Sequence, residues 1–297
     1  MEGRNAIITG ASRGIGVYIA QALAARGLNL LLVARSEAEL ARVARELRGR
    51  GNTIAVAAVD LSERDAAGRI VEAAASELGP LDILVNNAAV ELQRRFHLLE
   101  TDEIEAVLRV DLIAPIELAR LLLPQMLARG YGRIVNVSSL AGHVGFPFTE
   151  AYAASKDGLT AFSRVLRNDY RGTGVSASTL ILGAVKDTGV GQRTLDETGL
   201  KSSTAFMVKP EKVARAVVSA IEQDKAELVV MPGPGRLLKA LMDFFPGLGA
   251  AMNRLAGADK LMSSVADYRE AQHQAEATGN DRTTDARSPR ALRTARP

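Results

Sequence analysis

The sequence predicts an α/β chain folded on a doubly wound parallel sheet with helices on both faces. Short apolar runs alternate with segments of helical period as far as Met231, the pattern of right-handed crossovers between parallel strands. The first run meets a glycine-rich turn that opens a helix. Polar residues suited to chemistry collect beyond the ends of later runs, at Asn86-Asn87 and Ser138-Ser139, where open parallel sheets bind ligands.

Asn5 to Thr9 reads as a buried strand ending at Gly10. The turn Thr9-Gly10-Ala11-Ser12-Arg13-Gly14-Ile15-Gly16 then leads into an amphipathic helix, with Ile15, Ile19, Ala22 and Leu23 on one face, to about Arg26. Strand, turn and helix follow the order of the dinucleotide fingerprint. A Cβ at these glycines would block the backbone from a pyrophosphate held by N–H groups at the positive end of the helix. Leu28 to Val33 is the second strand and ends in Ala34-Arg35-Ser36, where an NAD-binding unit usually carries an acid for the ribose 2′-hydroxyl. No carboxylate is there. Arg13 and Arg35 are instead placed to flank a 2′-phosphate, which predicts NADP(H) as the cofactor.

The alternation continues with a helix over Glu37 to Arg48, a strand over Ile54 to Val59 ending in Asp60-Leu61, and a helix over Glu63 to Leu78 closed by Gly79-Pro80. Ile83 to Val85 is the fourth strand and runs into Asn86-Asn87-Ala88-Ala89. A long helix is expected from Thr101 to Arg129, with acids in its first turn and kinks at Pro115 and Pro124. Arg133 to Val137 is the fifth strand, Thr149 to Tyr170 a helix, Val175 to Leu182 the sixth strand, Pro210 to Gln223 a helix, and Glu227 to Met231 the last strand.

Composition narrows the functional classes. The chain has 297 residues, 47% of them hydrophobic, enough for a substantial core. It has no cysteine and three scattered histidines, so no metal site is expected, and a reducing, cytoplasmic setting fits. The first apolar strand begins within five residues of Met1, leaving no room for a signal peptide, and no apolar run reaches membrane-spanning length. The net charge of +3 is accounted for by Gly279 to Pro297, with five Arg against two Asp, so nucleic acid is not the expected partner.

Tyr152 and Lys156 stand four apart on a predicted helix and so share one face. An ammonium beside a phenol favours the phenolate and draws its pKa toward the working range, making a usable general acid or base. With Thr9-Gly10-x-x-x-Gly14-x-Gly16, Asn86-Asn87-Ala88, and Ser139 thirteen residues before Tyr152, this pair completes four motifs in order. On them the chain resembles the short-chain dehydrogenase/reductase family over about residues 3 to 232. The resemblance implies a Rossmann-like fold and hydride transfer between NADP(H) and a carbonyl or alcohol. It also implies that Tyr152 exchanges the proton, Ser139 hydrogen-bonds the reacting oxygen, and Lys156 holds the nicotinamide ribose while lowering the tyrosine pKa. Asp60 and Leu61 would contact adenine, and Asn87 and Ala88 would lie along the cofactor.

Three positions depart from the family pattern. Val110-Asp111-Leu112 has Asp where an Asn usually holds a relay water; its charge would offset that of Lys156 and let the tyrosine pKa rise, unless Asp111 merely caps a bent helix. Ala89 stands for a glycine, a change expected to be tolerated. In Leu182-Gly183-Ala184-Val185-Lys186-Asp187-Thr188, Gly183 and Val185 match the usual cofactor segment but Thr188 falls one place late, leaving its contact open.

Gly189 to Val208 is polar and reads as the substrate-covering lid, and Gln93, Arg94 and Phe96 are candidate pocket residues. Beyond Pro232-Gly233-Pro234-Gly235, apolar residues from Leu237 to Leu248 sit among few charges. A core-packing helix is favoured there; a helix on lipid, an oligomer contact and a cover over the site are the alternatives. The expected organisation is a domain over 1–232, a helical extension over 233–276 that includes a polar helix from Asp259 to Ala275, and a disordered tail over 277–297.

The function expected is an NADP(H)-dependent oxidoreductase acting on a small-molecule carbonyl or alcohol, a lipophilic one among the options, as a cytoplasmic homo-oligomer, most simply a dimer. The alternatives are a cofactor-binding regulatory or scaffold protein and a lipid-surface-associated reductase.

Overall fold

A computed structural model describes residues 1–49, 51–199, 207–255 and 257–277. The expected tail falls outside the described residues from 278 onward, as do residues 200–206 of the expected lid.

Seven strands form one parallel sheet: β1 (Asn5–Thr9), β2 (Asn29–Ala34), β3 (Ile54–Ala58), β4 (Ile83–Asn86), β5 (Gly132–Ser139), β6 (Val175–Leu182) and β7 (Glu227–Val230). Their order is β3-β2-β1-β4-β5-β6-β7. The chain winds outward from β1 in one direction, then returns to start β4 on its other side, which opens a crevice at the carboxyl ends of β1 and β4. The strands read as near-continuous apolar runs because both sheet faces are covered. Ile8, Leu30 and Leu32 enter one core layer, whereas their neighbours Ile7, Leu31 and Val33 enter the other. Helices α1 (Ile15–Ala24), α2 (Glu37–Leu47) and α9 (Pro210–Gln223) close the first layer. Helices α3 (Ala66–Leu78), α5 (Ala114–Ala128) and α7 (Glu150–Asp169) cover the second.

The expected single helix over Thr101 to Arg129 is corrected. It divides into α4 (Thr101–Leu108), a π-turn (Arg109–Ile113) and α5. Pro115 has no N–H to return to the carbonyl of Asp111, and Ala114 N–H bonds the carbonyl of Arg109 five residues back instead. Pro124 lies inside α5 without ending it, so only one of the two prolines marks the break. The helix expected from Glu63 begins at Ala66.

Short α6 (Ala141–Val144) follows Ser139, and α8 (Gly189–Thr198) forms within the expected lid. The extension folds as α10 (Gly235–Phe244), α11 (Pro246–Leu255) and α12 (Ala258–Ala277). Gly235 sets α10 close on Met231 and Val229 of the last strand region, and Gly249 sets α11 on Val144 of α6. Among the described residues no helix is long and apolar enough to cross a membrane.

Candidate active site

The glycine turn lies at the carboxyl end of β1. Gly10 has φ +67°, and a Cβ there would come within 2.8 Å of the Ala88 Cα; one on Gly16 would stand 2.1 Å from the Gly10 carbonyl oxygen. No side chain fits at either place, which leaves a cradle of bare backbone opening onto the amino end of α1. Thr9 ties this turn to the next strand: its hydroxyl oxygen accepts from Asn87 N–H at 3.0 Å and Ala88 N–H at 3.1 Å. The Asn87 side-chain amide in turn donates to the carbonyls of Thr9 and Gly10. Ser12 is buried in the turn, Ile15 begins α1, and Arg13 is exposed.

The other expected cofactor residues ring the same crevice. Arg35 is exposed at the end of β2, next to the turn, whose Ala11 N–H bonds the Val33 carbonyl. Asp60 accepts from the amide and hydroxyl of Ser62, which fixes the turn beyond β3, and Leu61 is buried beside it. Gly183 is hydrogen-bonded to the Val230 carbonyl, and Val185 bridges to Val208, pinning both ends of the lid. Thr188 reaches the glycine turn despite its late position, its hydroxyl oxygen lying 3.1 Å from where a Cβ on Gly14 would be. The preceding Asp187 takes a positive φ of 56°, a left-handed backbone turn that carries Thr188 toward Gly14. Ala89 takes a φ outside the left-handed region, so no glycine is needed there for the backbone.

The reactive groups meet at the ends of β5 and α7. Ser138 donates to the Lys156 carbonyl at 2.8 Å and locks the two elements together. The Ser139 hydroxyl lies beside that of Tyr152, where it favours the phenolate. Lys156 is 2% exposed; its ammonium stands 5.5 Å from the centre of the Tyr152 ring, donates to the Val137 carbonyl, and lies 3.2 Å from Asp111 Oδ2. That last contact is an ion pair approached off the line of a good hydrogen bond.

Asp111 is fully buried on the π-turn, and its other oxygen accepts from Val90 N–H at 2.8 Å. Its side chain therefore faces Lys156 and does not serve only to cap a bend. Burial raises the Asp111 pKa, opposed by Lys156 and by the Val90 bond. Tyr152 is held well above the usual range of a phenol, first by burial and then by the charges of Glu91 and Asp111, with the Ser139 hydroxyl opposing them. The expectation that Lys156 draws this tyrosine toward neutral pH is thus corrected for the protein alone: desolvation and two carboxylates move its pKa up.

Glu91 went unnoticed in the sequence, where it is one acid in an irregular loop. Its neighbours Gln93 and Arg94, the candidate pocket residues, act as braces. Gln93 is buried and accepts from Thr194 of α8; Arg94 is buried against Glu103 and the Leu98 carbonyl. Phe96 is exposed. Arg95, unremarked in the sequence, pairs with Asp267 at 2.6 Å and with Glu270, both on α12, while Arg269 of α12 pairs with Glu197 of α8. The extension thereby ties together two sides of the cleft, the loop after β4 and the lid helix.

Comparisons with known proteins agree with this geometry. A family profile described as short chain dehydrogenase matches residues 4–199. The ketoacyl reductase HetN of Nostoc sp. is 38% identical over 234 residues, 79% of this chain and 80% of that protein. A fatty acyl-CoA reductase of Acinetobacter baylyi is 28% identical, across 77% of this chain and 72% of that one. A metagenomic short-chain oxidoreductase, solved in complex with NADP, superposes with a TM-score of 0.66 at 32% identity, covering 77% of this chain and 97% of its own. With the profile spanning most of the sheet and both the glycine turn and the tyrosine helix inside it, the chain belongs to the short-chain dehydrogenase/reductase family of oxidoreductases.

Proposed function

We propose that the protein interconverts a carbonyl and an alcohol using NADP(H), with Tyr152 as the general acid or base. The observation that carries this reading is the convergence of Ser139, Tyr152 and Lys156 beside a glycine cradle that no side chain could fill. The cradle residues fit a dinucleotide: Gly10, Ser12, Gly14, Ile15 and Gly16 would hold the pyrophosphate, Asp60 and Leu61 the adenine side, and Asn87, Ala88, Gly183, Val185 and Thr188 the nicotinamide half. Arg13 and Arg35 are exposed at the 2′-phosphate end, which favours NADP(H) over NAD(H). When bound, the dinucleotide supplies or accepts the hydride.

The chain's own residues manage the proton. Ser139 and Tyr152 present two hydroxyl groups to the substrate oxygen, and Tyr152 gives up its proton as that oxygen gains charge. Lys156 is held by Asp111 and the Val137 carbonyl at the height of Tyr152, where it can meet the cofactor ribose and steady the charge that develops. The names of two similar proteins, a ketoacyl reductase and a fatty acyl-CoA reductase, favour an acyl-chain carbonyl. A regulatory or scaffold role is less favoured, because all three reactive residues are present and in contact distance. The reading includes a cytoplasmic homodimer, supported by the lack of cysteine and by α10 covering the edge strand β7.

The test is NADPH and NADH oxidation against aldehydes, ketones and 3-oxoacyl compounds of graded chain length, with wild type and Tyr152→Phe. Loss of turnover with cofactor affinity kept is expected. Wild-type activity in the Phe variant would refute the role of Tyr152.

A further inference from the structure

The two helices after β7 carry a second apolar surface that the fold leaves open. On α10 the inward face is Gly235, Lys239 and Met242, all buried. The opposite face carries Leu237, Leu241 and Phe244, spaced i, i+4, i+7, with Phe245 beside them. These four are 61%, 40%, 81% and 62% exposed. On α11 the same spacing recurs in Leu248, Met252 and Leu255, the last 89% exposed. Helices that bury one stripe and expose another are not explained by packing within the chain.

The charges on these helices are one-sided. Residues 235–255 contain a single acid, Asp243, and it is spent on Lys239 at 2.7 Å and on His143 at 3.3 Å. Arg236 and Arg254 are exposed, each one residue from the stripe and so about 100° round the helix from it. A second copy of this face would bring Arg236 and Arg254 against their own kind, with Asp243, already paired with Lys239, the one acid of these two helices. Anionic lipid headgroups offer the complementary charge, and the acyl boundary beneath them accepts the phenyl and leucyl side chains.

We propose that the outer face of α10–α11 docks this protein on an anionic membrane surface. Docking would place lipid beside the reaction centre. The hairpin rests on α6, through His143–Asp243 and through Gly249 against Val144, and α6 follows Ser139 directly. A lipophilic substrate could then pass from the bilayer to the cleft, a corollary that rests on the carbonyl reading; the docking itself does not.

The experiment is flotation of the full-length protein with vesicles of phosphatidylcholine alone and of phosphatidylcholine mixed with phosphatidylglycerol, with sedimentation velocity in parallel. The protein is expected to float with the mixed vesicles and to be released by salt. Phe244→Ser with Phe245→Ser should weaken partitioning on the order of 100-fold, about tenfold for each ring. Arg254→Gln should cost about fivefold, on the mixed vesicles only. All three side chains are exposed, so melting curves should match wild type. Failure of wild type to float, or undiminished flotation of the double variant, would overturn the proposal. Equal binding to both vesicles would overturn its anionic part. A double variant that breaks an oligomer apart, with no vesicle binding by wild type, would assign the face to a second copy instead. Because Tyr152→Phe should float as wild type does, failure of docking and failure of the redox reading remain separable.

Discussion

Substituting Asp111 by Asn removes one buried negative charge from the neighbourhood of Tyr152 with almost no change in shape. Asn Oδ1 can still accept from Val90 N–H, so the π-turn keeps its tie. The carboxylate is 3.2 Å from the Lys156 ammonium, which is 5.5 Å from the centre of the tyrosine ring, so charge and ring lie within about 9 Å. At an effective dielectric of about 20 to 40, a unit charge at about 9 Å contributes about 1 to 2 kcal/mol, or about 0.7 to 1.4 pH units. The sign follows from the chemistry: Asp111 disfavours the phenolate, so its neutralisation lowers the Tyr152 pKa. For alcohol oxidation, where Tyr152 must first lose its proton, the rising limb of kcat/KM should move to lower pH by about one unit. The assay is the pH dependence of NADP⁺ reduction at saturating cofactor for both proteins, with thermal melts to show that the fold is kept. An unmoved limb would refute direct electrostatic action. So would a shift to higher pH, which would mean that the carboxylate acts chiefly by keeping Lys156 in place.

Three further outcomes can be stated. Arg35→Ala should weaken NADPH binding about tenfold and leave NADH nearly unchanged, since one exposed charge-assisted contact is lost; equal effects on both cofactors, read by fluorescence titration, would remove the basis for the preference. Glu270→Gln, which loosens the Arg95 tie between α12 and the loop after β4, should raise KM for substrate by a few-fold with kcat within about twofold, and wild type should show the same trend as salt is raised. Asp224 has its pKa held down by the hydroxyl of Ser176 and by Arg167 and Arg133, although burial works against them. A depressed carboxylate stabilises the fold above its unfolded pKa and loses that contribution as pH falls through the folded value. Asp224→Asn, at a left-handed φ of 50° that Asn also tolerates, should therefore cost under about 1 kcal/mol at pH 7, given its 41% side-chain exposure, and the cost should vanish as pH falls through the depressed folded pKa.

What the sequence discloses here is whatever depends on neighbours along the chain. The seven strands are legible because each is a short apolar run bounded by turn residues, and the cradle because its glycines follow a strand at once. Tyr152 and Lys156 are legible as a pair because helical spacing fixes them on one face. The rest depends on partners far away in sequence. Pro115 predicts a break, but the sequence does not say that the break is a π-turn or that it brings Asp111 to Lys156 of α7. Gln93 reads as a pocket residue, and nothing near it in the chain says that Thr194, 101 positions later, holds it. The apolar residues of α10 promise a buried helix, yet apolar character alone does not say which stripe finds a cover, and Leu237, Phe244 and Phe245 do not.

The same limit governs the charge on Tyr152. Spacing brings one ammonium to the tyrosine, whereas the fold brings that ammonium already paired with Asp111, and adds Glu91 from a loop that the sequence leaves shapeless. Both carboxylates raise the Tyr152 pKa, and burial, the largest cause, acts in the same direction. The phenol therefore keeps its proton throughout the neutral range. A group so held is present in its protonated form but is a weak acid, so within the proposed reaction it needs the charge developing on the substrate oxygen to draw its proton, and alcohol oxidation needs alkaline conditions to ionise it. Lys156 then serves less to ionise Tyr152 in advance than to answer the negative charge that appears as the proton leaves.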